Sequence, residues 1–117
     1  ADKLIEQAEE NGDLRLIKAV VPNLNPNDLR SLAAQVNKRA APSIVLLGSE
    51  SNVKCGMVCI CSTEAVDTGH QAGKYLSELA GKLGGKGGGK PDFAMGGAPA
   101  GKDLNEALNG ISFTTEG

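Results

Sequence analysis

A chain of 117 residues with 40% hydrophobic side chains is long and apolar enough for one folded domain, which excludes a disordered tail. Aromatic residues make up only 3% and tryptophan is absent, so the core is expected from Leu, Ile, Val and Ala. The formal net charge of -2 gives no sign of a globally basic nucleic-acid binder. No apolar run has membrane-spanning length and no segment has the form of a signal peptide, so a cytoplasmic location is expected.

The chain opens at Ala1 on an amphipathic fragment rather than at Met, and it reads as a piece of a longer protein. Leu4, Ile5 and Ala8 fall on one helical face, with Gly12 as the C-cap. Residues 1–12 are therefore expected to be the tail of an upstream helix, and residues 13–117 a globular domain. Leu14 to Val21 predicts a strand in which Leu14, Leu16 and Val20 oppose Arg15 and Lys18, stopped by Pro22. Asn25-Pro26-Asn27-Asp28 is a strong helix start: a capping amide, a proline suited to the first turn and an acid that favours the helix dipole. Leu29, Leu32, Ala33, Val36 and Ala40 then recur at helical spacing until Pro42 restricts Ala41.

Ser43 to Gly48 is a continuous apolar run between turn residues and predicts a buried central strand. Lys54 to Ser62 follows the turn at Glu50-Ser51-Asn52 as its antiparallel partner. Cys55, Met57, Cys59 and Cys61 alternate, so they share one strand face. Asp67 or Thr68 caps the next helix, whose core stripe is Ala72, Tyr75, Leu76, Leu79 and Leu83. Phe93-Ala94-Met95 reads as a short strand. Gly101 or Lys102 precedes a short helix through Leu104, Ala107 and Leu108, closed by Gly110, and Ile111 to Thr115 is an edge strand or a frayed end. Strands alternating with helices predict an α/β fold: a mixed β-sheet packed with helices in a single small domain, with a Gly-rich loop.

That loop is the most informative segment. Gly84-Gly85-Lys86-Gly87-Gly88-Gly89 places five glycines within six residues, and Lys90-Pro91-Asp92-Phe93-Ala94-Met95-Gly96-Gly97 follows. Glycine at this density suits a backbone that another molecule approaches closely, or one whose N–H groups cradle an anion. The charge is distributed to match. Residues 70–102 hold Lys74, Lys82, Lys86, Lys90 and Lys102 against Glu78 and Asp92, a local +3, whereas residues 1–13 sum to -4. An anionic partner or a plain solvated lysine face accounts for the excess.

Specific chemistries fail on these residues. Gly84-x-x-x-x-Gly89-Lys90 resembles a P-loop, but Pro91 stands where a Ser or Thr hydroxyl holds magnesium, and the segment follows a helix rather than a strand. The dinucleotide fingerprint fails because Lys90 takes the position of its third glycine. Three clustered cysteines and the single His70 match no zinc spacing and no disulfide framework, so buried thiols are expected. Asp67 and His70 read as a cap and a surface histidine. No complete catalytic constellation is present, and a binding function survives. Structured RNA fits, through phosphate contacts and stacking. Phe93 is read as a core plug sooner than as a stacking platform.

The order helix, Gly-Gly-Lys-Gly-Gly-Gly-Lys-Pro-Asp-Phe-Ala-Met-Gly-Gly, then Asp103-Leu104-Asn105-Glu106-Ala107-Leu108 resembles the C-terminal, DHHA1-type domain of alanyl-tRNA synthetases, a module also appended to DHH-family phosphoesterases. Asn27-Asp28-Leu29-Arg30 opening a helix and Ile44-Val45-Leu46-Leu47 extend the resemblance over nearly the whole chain. In the phosphoesterases a His that helps bind substrate phosphate follows the triple glycine; here Lys90 follows Gly89, which favours the synthetase.

The resemblance implies a domain that docks on the outer corner, the elbow, of tRNA(Ala) and links aminoacylation with editing. RNA contacts carry over to Gly84, Gly85, Lys86, Gly87, Gly88, Gly89, Lys90, Pro91, Asp92, Gly96 and Gly97. The parent chain is implied to be an ATP-dependent alanine-tRNA ligase using ATP, magnesium and zinc. The fragment itself is expected to be non-catalytic, without cofactor or metal, and monomeric, while the parent dimerises through upstream helices. Its expected partners are tRNA(Ala) and the remainder of the synthetase, with no membrane. The alternatives are the substrate-binding domain of a DHH-type phosphoesterase, and a dimerisation or interdomain docking module in which the glycines pack against protein.

Overall fold

The computed structural model describes residues 9–11, 14–21, 24–50, 54–100 and 103–111. The strands are β1 (Glu9–Asn11), β2 (Leu14–Val20), β3 (Ser43–Glu50), β4 (Lys54–Cys61), β5 (Lys86–Gly89) and β6 (Phe93–Pro99). The helices are α1 (Pro26–Ala40), α2 (Thr63–Asp67), α3 (Ala72–Lys82) and α4 (Leu104–Asn109). One six-stranded mixed sheet runs in the order β1-β2-β3-β4-β6-β5. Among the described residues only β2 and β3 pair in parallel, and α1 forms the crossover between them.

The sheet is covered on both faces. Ile44 and Leu46 of β3 join one core cluster with Cys55, Met57, Cys59 and Cys61 of β4, beneath α2, α3 and α4. Val45, Leu47 and Val58 face the other way and pack with Leu29, Ala33, Val36 and Ala40 of α1. This two-sided burial explains why β3 reads as a continuous apolar run. Each such side chain contributes about 1.5–3 kcal/mol by leaving water.

The expected start of α1 is observed. Asn25 Oδ1 accepts the Asp28 N–H at 2.8 Å, and Pro26 opens the helix. The shared face of the cysteines and the stripe Ala72, Tyr75, Leu76, Leu79 and Leu83 are also observed, all of them buried. At the end of α1, Asn37 Nδ2 donates to Ser43 Oγ at 3.0 Å and to Ser62 Oγ at 3.2 Å, tying the helix to β3 and β4.

Several elements differ from the sequence reading. Glu9–Asn11, placed in a helix tail, pairs with β2 as an antiparallel strand, Asn11 opposite Leu14. The register leaves only Gly12 and Asp13 between the strands, and Gly-Asp is a two-residue hairpin signal. Leu4, Ile5, Ala8, Gly12 and Pro22 lie outside the described residues, as do residues 112–117. In β2 it is Ile17 that is buried under α1, while Lys18 shares the Leu16 face and donates to the Ile111 carbonyl at 3.0 Å.

The helix expected to start at Asp67 or Thr68 starts at Ala72, and a separate short helix, not expected from the sequence, precedes it at Thr63–Asp67. Gly69 has φ 105°, a left-handed conformation that suits glycine, and it ends α2 while α3 begins at Ala72. The short C-terminal helix expected through Leu104, Ala107 and Leu108 is observed and is capped by Asp103, whose Oδ1 accepts the Glu106 N–H at 3.1 Å.

His70 is buried rather than on the surface. Its Nδ1 lies 2.5 Å from the Tyr75 hydroxyl, and its N–H donates to the Ala65 carbonyl at 3.0 Å. Burial lowers the His70 pKa and pushes the Tyr75 pKa up to about 12, so both groups are neutral at pH 7.

Candidate nucleic-acid interface

The segment expected to be a glycine loop is a β-hairpin. β5 and β6 pair antiparallel, with Lys86 opposite Gly97, Gly87 opposite Gly96, Gly88 opposite Met95 and Gly89 opposite Ala94. β6 pairs in turn with β4, so its peptide groups are shared between two neighbours. In a paired sheet the N–H and C=O groups lie in the sheet plane. The hairpin faces therefore present no cradle of N–H groups, and the anion nest suggested by glycine density is replaced by a flat peptide surface.

The glycines divide by face. Gly84 terminates α3 with φ 77°; its N–H reaches the Gly81 carbonyl at 3.3 Å and the Gly85 N–H reaches the Ala80 carbonyl at 2.8 Å, a Schellman closure. A Cβ on Gly85 would collide with the Gly97 carbonyl, and one on Gly87 with Leu76 Cδ1 of α3. At Gly96 it would lie 2.7 Å from both Gly87 Cα and Leu76 Cδ1. At Gly89 it would lie 2.5 Å from the Phe93 carbonyl and 2.8 Å from Ala94 Cα, while at Gly73 of α3 it would lie 2.9 Å from the Gly89 carbonyl. These glycines let a helix and a hairpin pack backbone against backbone.

Gly88 and Gly97 belong to the other face. Nothing lies within 4 Å of a Cβ placed on Gly88, and one on Gly97 would make only a 3.4 Å approach to the Cys55 carbonyl. Both residues are exposed. Strand alternation puts Lys86, Met95 and Phe93 on this same side. It is the side that α1 covers over β3 and β4, and α1 stops short of the hairpin: Leu29 comes within 3.9 Å of a Cβ on Gly56, the β4 partner of Gly97. Ile60, Phe93 and Met95 pack half-buried against the α1 cluster, so Phe93 is neither a plug nor a bare platform.

A groove of about 420 Å³ lies at the turn end of the hairpin, lined by Gly88, Gly89, Lys90, Asp92, Phe93, Ala94 and Met95. Its rim is rigid. The turn Lys90-Pro91-Asp92 is held by the Ala72 N–H on the Pro91 carbonyl at 2.7 Å and the Cys61 N–H on the Asp92 carbonyl at 2.9 Å. Lys86 and Lys90 are exposed beside it, with Lys54 exposed on the neighbouring β4.

The eleven carried-over residues thus do not form one surface. Lys86, Gly88, Lys90, Asp92 and Gly97 gather around the open face; Gly84, Gly85, Gly87, Gly89 and Gly96 serve the helix-side packing; and Pro91 anchors the turn. Met95 was missed, and only its alternation with Gly97 along a strand could have marked it.

The buried thiols offer no competing site. Burial first, then the Glu50 carboxylate that accepts from its Sγ at 3.4 Å, raises the Cys55 pKa to about 11. Burial beside Cys61 also raises that of Cys59. Neither carries the depressed pKa of a reactive thiol. No cluster of metal-ligating side chains occurs, and no helix is long and apolar enough to cross a membrane, among the described residues.

Residues 13–113 match the DHHA1 domain family. The chain is 46% identical over 108 residues to the alanine–tRNA ligase of Opitutus terrae, covering 92% of this chain and 12% of that protein. It is 40% identical over 109 residues to the alanine–tRNA ligase of Rhodopirellula baltica, again spanning 12% of that protein's length. Its fold is similar to the C-Ala domain of Aquifex aeolicus alanyl-tRNA synthetase, with a TM-score of 0.77 at 31% identity, covering 88% of this chain and 92% of that one. The fold is thus that of a known domain, and the chain belongs to the DHHA1 domain family.

Proposed function

We propose that this chain is the C-terminal tRNA-binding domain of an alanyl-tRNA synthetase, docking on the elbow of tRNA(Ala) and linking aminoacylation with editing. The observation that carries the reading is the groove at the turn end of the hairpin, with Lys90 in its wall and Lys86 exposed further along β5, in a chain 46% identical to an alanine–tRNA ligase. Lysines at the edge of a flat surface suit RNA, where phosphate contacts supply affinity and shape supplies register.

The parent is then an ATP-dependent alanine-tRNA ligase of the cytoplasm, using ATP, magnesium and zinc in other domains. This domain contributes binding and no catalytic group. The related ligases favour the synthetase over the phosphoesterase. The packed face of the hairpin already has its partner, α3, so the glycines opposite it need no second domain to explain them.

The test is binding of the 117-residue chain to a tRNA(Ala) transcript and to a minihelix lacking the elbow, across a salt series. The transcript is expected to bind with salt-sensitive affinity and the minihelix not to bind. The double variant Lys86→Glu with Lys90→Glu is expected to weaken transcript binding about tenfold or more and to reduce the salt slope by roughly 2, one unit per lost phosphate contact. Unchanged affinity and slope would remove the lysines from the interface.

A further inference from the structure

We infer that His70 and Tyr75 form a protonation-sensitive clasp at the start of α3: with His70 neutral it keeps the Ala72 N–H on the Pro91 carbonyl, and with His70 charged it lets the Lys90-Pro91-Asp92 turn go. The clasp is a property of the fold and does not depend on the RNA reading.

Position along the helix is the first observation. Ala72 opens α3 and Gln71 is its N-cap, so His70 stands one residue before the cap and Tyr75 is the fourth residue of the helix. A side chain in the first position packed on one in the second forms a staple, which fixes the angle at which the chain enters the helix. Here the two rings lie 5.9 Å apart between centroids and tilted by 41°, and His70 Nδ1 shares a hydrogen bond with the Tyr75 hydroxyl. Gln71 makes no side-chain capping bond, so the staple is the side-chain device at this end of α3.

The use made of the first helical N–H is the second observation. Ala72 donates to the Pro91 carbonyl at 2.7 Å, while Cys61 of β4 donates to the neighbouring Asp92 carbonyl at 2.9 Å. The turn thus hangs from two elements, and only α3 is entered through His70. The same turn carries Lys90 into the wall of the groove.

A charge on His70 opposes this arrangement. The residue is only 4% exposed, and an imidazolium there would face the positive end of the α3 dipole. Burial accordingly lowers its pKa. Protonation also makes both ring nitrogens donors, so the Tyr75 hydroxyl can then only accept from Nδ1. Tyr75 and Cys59, both pushed up by burial, supply no compensating negative charge near neutral pH, and Cys61 of β4 lies in the same core. The charged groups on the surrounding elements are Glu64 and Asp67 of α2, Lys74 and Glu78 of α3, and Lys90 and Asp92 of the turn; all are exposed and screened by water.

The experiment follows the His70 ring of the 117-residue chain by NMR from about pH 7.5 down to about pH 5, with hydrogen-exchange protection factors for the Ala72 and Cys61 amides at each step. Ala72 is expected to lose about tenfold or more in protection at the midpoint of the ring's own titration, while Cys61 keeps its protection. His70→Phe retains an aromatic staple without a titrating group, and its Ala72 protection is expected to stay constant over the same range. Constant Ala72 protection through the ring titration of the wild type would overturn the clasp. Equal losses at Ala72 and Cys61 would also overturn it, by showing a general loosening of the core. A loss at Ala72 that persists in His70→Phe, or a ring that titrates only after the chain has unfolded, would do the same. Should His70→Phe lack a folded baseline, the comparison of Ala72 with Cys61 in the wild type decides.

Discussion

The two faces of the β5–β6 hairpin carry the same residue type for opposite reasons. Against α3, glycine is what allows Leu76 and the Gly73 backbone to reach the strands. On the open face, Gly88 and Gly97 are surrounded by solvent and make no packing contact that needs them bare. A run of glycines is therefore not one signal. It superimposes a packing requirement and an open surface on alternate residues, and only the direction of each missing Cβ tells them apart.

The sharpest way to break that comparison is to add side chains on each face in turn. Gly87→Val pushes a branched side chain into Leu76 and to within 2.9 Å of Gly96 Cα, and backbone cannot yield as a flexible side chain does. A loss of about 3 kcal/mol or more is expected, read from the urea midpoint. A loss below about 1 kcal/mol would show that α3 can lift off the hairpin at small cost.

A smaller effect comes from titrating the packed side. His70 is buried beside Tyr75, in the core beneath α3, with its pKa lowered from the ordinary 6.5. Between its folded pKa and 6.5 the unfolded chain holds more protons than the folded one, so stability is complete above 6.5 and falls as pH drops through that value. One group sets an upper slope of about 1.4 kcal/mol per pH unit. The stability of His70→Asn is expected to vary less with pH between 5 and 7 than that of the wild type. Parallel pH curves for the two proteins would show that His70 does not titrate against folding.

The smallest effect is expected on the open face. Gly88→Ala should change stability by no more than about 0.5 kcal/mol, because it adds a methyl group to open space on an edge strand. A large destabilisation would mean that the open face is also required by the fold, and the distinction between the faces would collapse.

Much of the fold was legible in the chain. Asn25-Pro26 capping, the helical repeat from Leu29 to Ala40, the doubly buried run Ile44–Leu47 and the one-faced cysteines all follow from local periodicity, and all appear in the structure. The failures have physical causes. Gly69, in a left-handed conformation, separates the short helix Thr63–Asp67 from the helix that was expected to start at Asp67 or Thr68. Residues 9–11 pair with β2, where Asn11-Gly12 had been read as the end of a helix. Phe93-Ala94-Met95 was legible as a strand, but Lys86–Gly89 lacks the β-branched and aromatic residues that mark strands, so its pairing with β6 could not be read from composition.

The candidate site was half legible. Its residues were all on the page as a glycine- and lysine-rich stretch, and the resemblance they carried led to the right family. By itself the sequence determined where the helices and central strands lie, that the thiols are buried, and which segment is unusual, because these depend on local spacing and side-chain type. Tertiary structure alone decided that the unusual segment is a hairpin, that α3 fills one of its faces, and that α1 ends before covering the other. Which glycines are free to meet a ligand depends on atoms far away in the chain, such as Leu76 beside Gly96 and Leu29 beside Gly56, and no local pattern records those distances.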